Sequence, residues 1–339
     1  MFGSTKIKLD SSLIERIRKF AESVKTLYVV EELEPFLEEQ IRAAGIDVIG
    51  REGRFPYTGE YNISVVEEGL LGEATSKPTV ELDDLEIPLR PPTLCPGCSH
   101  RAVFTKLRDM KVRVMGDIGC YTLGAIKPLA SMESCMCMGA SVGMAEGLDR
   151  FGGEKEKDNT VGVIGDSTFF HSGITGIVDM LYNGSTGTVM VVDNRTTAMT
   201  GGQPHPGSGR DIRGNEATRL DIAELCRGIG VKRVVEIDPY DLQAFGEAVK
   251  AELAAPELSV IVVKAPCVLG ERVRFSDKPI SIDLETCNQC GACIRVGCMA
   301  ISSKDGFPAV NPDLCIGCMV CGQVCKEGCI TLNGRPGGK

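Results

Sequence analysis

Nine of the chain's sixteen cysteines lie between Cys287 and Cys329. They form two runs, Cys287-x2-Cys290-x2-Cys293-x4-Cys298 and Cys315-x2-Cys318-x2-Cys321-x3-Cys325. Three thiolates at two-residue gaps wrap one face of a cubane, and the fourth ligand comes from the other run. The spacing predicts one [4Fe–4S] cluster on Cys287, Cys290, Cys293 and Cys325, and a second on Cys298, Cys315, Cys318 and Cys321. A pair of zinc knuckles is the alternative, but three cysteines at such gaps suit a cubane better than a tetrahedral zinc site. Met299 and Lys326 stand where this pattern usually carries proline, which leaves the ligand set intact. Cys329 is surplus to it and reads as a small buried residue.

A second constellation spans residues 165–194, GDSTFFHSGITGIVDMLYNGSTGTVMVVDN. Gly165-Asp166 ends one apolar run, and Asn194 ends the next after a helix-length interval. This is the layout of a thiamine diphosphate motif. Asp166 and Asn194 at the ends of adjacent strands can share one Mg²⁺, a hard cation that prefers oxygen ligands. The Thr196 carbonyl is the natural third ligand, and diphosphate oxygens complete the shell. A helix over 168–182, starting just after Ser167, would aim free N–H groups at the diphosphate. Ser167 replaces the usual third glycine. An ordinary pair of βαβ turns is the plainer reading of the same residues.

The elements that must position these groups follow from hydrophobic patterning. Short apolar runs at VRVMGD, TVGVIGD, GTVMVVDN, VKRVVEID and SVIVVKAP alternate with helical patterns across residues 93–270. Such alternation predicts an α/β domain with a doubly wound parallel sheet, binding ligands at the C-terminal ends of its strands. Gly116-Asp117, Gly165-Asp166 and Asp193-Asn194 all fall there. Residues 1–75 show half of a second α/β unit: helix SSLIERIRKFAESV, strand TLYVVEE, helix PFLEEQIRAAG and strand IDVIG. Pro35 suits a helix start and Gly45 a helix end. A linker rich in Pro and Glu spans 76–92. Residues 278–334 make a small, cysteine-dense third unit.

Composition narrows the class. The chain has 339 residues, of which 43% are hydrophobic, so it can bury a substantial core. A net charge of −9 argues against a nucleic-acid or anionic-membrane surface. No apolar run is long enough to span a bilayer, and the start MFGSTKIKLD lacks a signal-peptide h-region. These features predict a cytoplasmic protein whose cysteines bind clusters rather than form disulfides.

CPGCSHR (95–101), GDIGCYTLGA (116–125), CMGAS (137–141), GDSTFFHSG (165–173) and DNRTTAMTGGQPHPG (193–207) together resemble the indolepyruvate:ferredoxin oxidoreductase alpha-subunit family. This is a branch of the thiamine-dependent 2-oxoacid:ferredoxin oxidoreductases. The resemblance covers essentially the whole chain. It implies that 1–75 is a partial transketolase C-terminal-like domain, that 93–270 binds the diphosphate of thiamine, and that 278–334 is a small α+β ferredoxin domain with two [4Fe–4S] clusters. It implies oxidative decarboxylation of an aryl 2-oxoacid with coenzyme A, giving acyl-CoA, CO₂ and reduced ferredoxin. Another 2-oxoacid (phenylglyoxylate, a branched-chain acid or pyruvate) is the alternative substrate. A non-catalytic electron-transfer subunit is the alternative role.

The resemblance also implies a third, proximal [4Fe–4S] cluster on Cys95, Cys98, Cys120 and Cys267. Two of these come from one loop and two from strand ends on the same edge. Cys95 and Cys98 taken alone also suit a redox pair or half a zinc site. His100 and the amides around Gly119 and Cys120 are candidates for the diphosphate or the cluster edge. His171 is weighed as a substrate contact against a helix-start residue bonded to backbone. His205 is weighed as a catalytic group on a covering loop against a plain turn residue. Met136, Met138 and Met144 are weighed as a soft wall beside the thiazole and read as core packing. Cys135, Cys137 and Cys226 are left over.

Members of the family are nearly twice as long. Their first half carries the pyrimidine-binding domain, with the glutamate that activates the coenzyme. A separate chain bearing that domain is therefore the expected partner. A smaller oxidoreductase subunit and soluble ferredoxin are expected with it, in a hetero-oligomer.

Overall fold

A computed structural model describes residues 11–74, 90–153 and 159–332. The linker expected at 76–92 falls almost wholly outside the described residues. The chain divides into two compact units, 1–89 and 90–339. The boundary expected between 270 and 278 lies inside the second.

The first unit contains helices α1 (Ser11–Glu22), α2 (Phe36–Ala43) and α3 (Ile63–Leu71). Val29, Ile41 and Ile46 form its small core, with Ile14, Ile17 and Val48 packed against them. The two expected strands are a correction. TLYVVEE and IDVIG meet only at one parallel bridge, Tyr28 to Ile49. Acidic groups near these segments serve helix capping and a buried ion pair. Glu31 accepts from the N–H groups of Leu37 and Glu38 at the start of α2, at 2.8 and 2.9 Å. Glu38, buried, accepts from Arg51 N–H and pairs with Arg42. Gly45 takes φ +73 after α2, as a helix-ending glycine does.

The second unit is built on six parallel strands: β1 (Arg113–Gly116), β2 (Ser134–Cys135), β3 (Thr160–Gly165), β4 (Thr188–Asp193), β5 (Arg233–Ile237) and β6 (Ser259–Lys264). Their order is β2-β1-β3-β4-β6-β5. Five match the expected runs, and the two-residue edge strand β2 is additional. Side-chain alternation splits the core between the two faces. Met190, Val192, Ile261 and Val263 pack with Val103, Phe104 and Leu107 of α4 (Ser99–Met110), and with Phe245 and Val249 further along. Val189, Val191, Val260 and Val262 pack on the other face with Val142, Ile177, Met180 and Ile222. Strand order reverses between β1 and β3, so the switch point lies where Asp117 and Asp166 follow those strands.

The helix expected over 168–182 begins two residues earlier, at Asp166. It runs through a π-turn, Phe169–Gly173, before the regular stretch Ile174–Tyr182. Such π-turns recur at functional sites. Met136 and Met138 are a second correction. They are 68% and 45% exposed rather than in the core, because they flank β2, the sheet's outermost strand.

Residues 280–332 form two antiparallel pairs. One joins β7 (Ile280–Ile282) to β10 (Ile330–Leu332), and the other joins β8 (Ile301–Lys304) to β9 (Phe307–Val310). This segment packs directly on the sheet domain: Val296 and Val320 are buried with Ala102 and Leu242.

Candidate functional site

A cavity of about 980 Å³ opens at the C-terminal edge of the sheet. Cys95, Cys98, Cys120 and Cys267 all line it, together with His100, Asn194, Arg195 and Thr196. Four cysteines from three separate segments therefore share one chamber with His100, Asn194 and Thr196 of the expected diphosphate residues, whereas Gly119, Gly165, Asp166 and Ser167 are not among its lining. Loop residues Gly201, Gly202, Pro204, Arg210 and Arg213 form its outer wall.

Hydrogen bonds orient the polar lining. Thr196 N–H donates to Asn194 Oδ1 at 3.1 Å, which turns Asn194 Nδ2 towards His100 Nε2, 3.4 Å away. His100 Nε2 is then the acceptor, and the ring proton sits on Nδ1. That atom is buried without a partner among the described residues. Burial holds the His100 pKa down to about 4, against a smaller upward pull from Asp166, so the ring is neutral at pH 7. Arg195 Nε is also buried and unpartnered. Both residues line the cavity, although these two atoms are themselves buried beneath its surface.

Behind this wall lies a buried acidic pair. Asp166 follows β3, and Asp193 ends the neighbouring β4. Arg195 N–H reaches both, at 2.7 Å to Asp166 and 3.2 Å to Asp193. Burial, and then the charge of Asp166, push the Asp193 carboxyl up to about 6. Buried carboxylates side by side suit a cation. Ser167 N–H donates to Asp166 Oδ1 at 2.8 Å, and the Gly119 N–H is taken by Thr122 Oγ1 at 3.0 Å. Those two amides are therefore engaged within the chain. His205 Nε2 is 3.1 Å from Asp166 Oδ2, and both side chains are buried. His171 is exposed, with Nδ1 2.6 Å from Ser172 Oγ, and it is not among the cavity's lining residues.

Sequence reasoning passed over the anchoring role of Asp117. Its carboxylate accepts from Gly139 N–H and Ser141 Oγ–H, each at 2.9 Å, and from Tyr121 OH. It thus pins the loop after β1 to the start of the following helix. Burial pushes this carboxyl up to about 6 despite those donors. Its place at a strand end, like that of Asp166, was the available signal. Arg195, Arg210 and Arg213 had none, because their roles depend on where a long loop turns.

The C-terminal cysteine runs share a backbone device. Gln289 and Gly291 take φ +59 and +68, and Gly317 and Met319 take +75 and +58, at equivalent places in the two runs. Alternation of right- and left-handed residues gathers N–H groups into concavities of the kind that hold Fe–S centres. Accordingly, N–H groups of Ile294 and Val320 lower the pKa of Cys293 and Cys318 against the larger effect of burial. Gly97, at φ +69, belongs to the same design in the Cys95–Cys98 loop, where His100 N–H serves Cys98. Cys287, Cys290, Cys293 and Cys325 line one small cavity, joined by Cys329. Cys298 and Cys315 act electrostatically on Cys318, and Cys318, Cys298 and Cys315 on Cys321, as neighbouring groups do. Among the described residues no three His, Cys, Asp or Glu side chains meet where a single ion would sit. A cubane is several atoms across and is ringed by its thiolates, so cavities lined by four cysteines fit it better than a mononuclear site does.

Residues 117–263 match the family described as thiamine pyrophosphate enzyme, C-terminal TPP binding domain. The chain is also 36% identical to indolepyruvate oxidoreductase subunit IorA of Methanothermobacter thermautotrophicus, over 94% of this chain and 54% of that one. The IorA of Archaeoglobus fulgidus is 34% identical, over 92% of this chain and 52% of its own. The chain is thus a relative of IorA and spans about half the length of the curated relatives it matches. Among solved structures, a 2-oxoglutarate:ferredoxin oxidoreductase from Magnetococcus marinus is 18% identical, covering 64% of this chain and 79% of that one, with a TM-score of 0.45. That likeness is too distant to bear on function. The matched stretch contains Asp117, Cys120, Asp166, Asn194, Thr196 and His205. Cys95, Cys98, His100 and Cys267 lie outside it, yet line one cavity with Cys120, Asn194 and Thr196.

Proposed function

We propose that this chain is the thiamine diphosphate- and cluster-bearing part of a 2-oxoacid:ferredoxin oxidoreductase acting on an aryl 2-oxoacid of the indolepyruvate type. The observation that carries the reading is the shared chamber: four cysteines line the cavity that Asn194 and Thr196, from the stretch matching the TPP-binding family, also line. Bound thiamine diphosphate supplies an electron sink for decarboxylation, and [4Fe–4S] clusters accept the released electrons singly. Coenzyme A takes the acyl group, and soluble ferredoxin takes the electrons. A partner chain supplies the pyrimidine side of the coenzyme, within a hetero-oligomer.

The residues divide the work. Asp166, Asn194 and the Thr196 carbonyl would hold Mg²⁺, and His100 and Arg195 would line the diphosphate side of the cavity. Cys95, Cys98, Cys120 and Cys267 hold the proximal cluster. The two C-terminal sets carry electrons onward.

Anaerobic purification with co-purifying partners, followed by iron, sulfide and thiamine analysis, tests this. About twelve irons per chain, from three cubanes, with bound thiamine diphosphate is the expected result. About eight irons without thiamine would leave an electron-transfer subunit in its place. A turnover screen of the reconstituted complex with indolepyruvate, phenylpyruvate and pyruvate assigns the substrate.

A further inference from the structure

Arg101 sits at the junction between the sheet domain and the C-terminal segment, 3% exposed. Its guanidinium contacts backbone carbonyls from both sides. Leu94 O and Cys95 O (3.4 Å) come from the loop leading into Cys98, and Val296 O (3.3 Å) and Gly297 O from the turn leading into Cys298. Its Nε has no partner, and among the described residues no carboxylate pairs with it. A buried cation without a counter-anion is costly. The charges that act on this one are thiolates of both sets: Cys298 and Cys318 on one side, Cys98 and Cys95 on the other.

The two cysteine loops are also in direct contact. A Cβ built on Gly97 would lie 2.1 Å from Ile316 Cδ1, so the Cys315–Cys318 loop rests on the Cys95–Cys98 loop. Tyr240 spans the same junction, donating from its hydroxyl to Gly97 O at 2.7 Å and accepting at its carbonyl from Gln323 Nε2 at 2.7 Å. The junction is closed, and Arg101 is the charge inside it.

We infer that Arg101 is a positioning residue for electron transfer: its fixed positive charge favours the reduced state of both adjoining clusters, the proximal one and the one on Cys298, Cys315, Cys318 and Cys321. This rests on the cluster reading above. One electron leaves the proximal cluster and enters its neighbour, so the anionic charge moves across the guanidinium without leaving its reach. A guanidinium stays protonated throughout, which makes it a constant bias rather than a switch. Net charge and local hydrogen bonding set cluster potentials, and Arg101 supplies charge to two clusters at once.

The test is an EPR-monitored redox titration of the anaerobically purified complex, with parent, Arg101→Lys and the neutral variants Arg101→Gln, Arg101→Met and Arg101→Leu. A neutral variant with full iron content should shift both adjoining clusters about tenfold towards the oxidised form at a fixed poise. For a one-electron couple that is about 59 mV lower. The cluster on Cys287, Cys290, Cys293 and Cys325 should not move, and Arg101→Lys should restore most of the shift. Tyr240→Phe, which removes a junction hydrogen bond but no charge, should leave all potentials in place. Unchanged potentials in an iron-replete neutral variant overturn the inference. So does loss of cluster iron from all three neutral variants while Lys retains it, since Arg101 would then be a structural clamp. Absence of cluster signals from the parent would instead sink the underlying reading.

Discussion

His205 Nε2 donates to Asp166 Oδ2 across 3.1 Å, inside a site where both side chains are buried. The direction is fixed from the other side of the ring. Gly207 N–H donates to His205 Nδ1 at 3.1 Å, so the ring proton must be on Nε2. A ring held in this way orients the carboxylate. Its place on a Gly/Pro-rich loop couples that loop to the strand end carrying Asp166.

On the proposed reading, thiamine diphosphate retention should therefore depend on His205 as well as on Asp166. His205→Phe should weaken Mg²⁺-dependent binding about 10–100-fold, the usual cost of losing a residue that orients a metal ligand. Asp166→Ala should abolish it while leaving iron content intact. Calorimetric titration of the complex with the coenzyme measures both, and unchanged affinity in Asp166→Ala would refute the Mg²⁺ assignment.

His100 makes stability depend on pH. Its folded pKa of about 4 lies below the ordinary 6.5, with burial as the main cause. The unfolded chain therefore binds more protons between those values, and stability rises with pH across the window. The contribution is complete above pH 6.5 and disappears as pH falls towards 4. Its size is on the order of 3 kcal/mol. Denaturant midpoints at pH 5 and pH 7 should differ more for the parent than for His100→Gln. Equal differences would count against a neutral, buried ring.

Gly97 and Ile316 should couple energetically. Gly97→Ala forces a left-handed alanine at φ +69, costing roughly 1–2 kcal/mol, and drives its Cβ into Ile316. Ile316→Ala opens space for that methyl. In a double-mutant cycle the pair should therefore be less destabilised than the sum of the single changes. Strict additivity in anaerobic denaturation would show that the loops do not touch.

Cys329 is buried, as its reading as a small inner residue requires, and its Sγ lies 3.3 Å from Cys325 Sγ. Burial, and then its interaction with Cys325, push its thiol up to about 12, so it remains protonated and donates to Cys325. Hydrogen bonds to cluster sulfur raise a cluster's potential. Cys329→Ala should lower the potential of the cluster on Cys287, Cys290, Cys293 and Cys325, and Cys329→Ser should recover part of the loss. Identical potentials in parent and Ala variant would reduce Cys329 to packing.

Strands β3, β4 and β6 were legible because buried parallel strands read as continuous apolar runs, such as Val189–Val192 and Val260–Val263, and β1 and the half-buried edge strand β5 were read from shorter apolar stretches. Cysteine spacing likewise marked the two C-terminal runs, since ligand gaps are local properties of sequence. The set Cys95, Cys98, Cys120 and Cys267 was named through resemblance, with the shared loop and the strand-end positions as support, because the fold brings distant strand ends together. What stayed hidden depended on tertiary context. Tyr28 and Ile49 look strand-like but make one bridge, and Met136 and Met138 look like core but flank an edge strand. Arg101 gave no signal, since nothing in CPGCSHR says which carbonyls will meet its guanidinium.

The seating of Ile316 on Gly97 bears on how such a chain is matured. Cys95, Cys98, Cys120 and Cys267 line the open cavity at the sheet edge, so their site stays reachable with the two loops closed over one another. Cys315 and Cys321, on the far side of that contact, are buried. Delivery of a cluster to the C-terminal side would therefore have to precede docking, and the contact sets a deadline for assembly at that site alone.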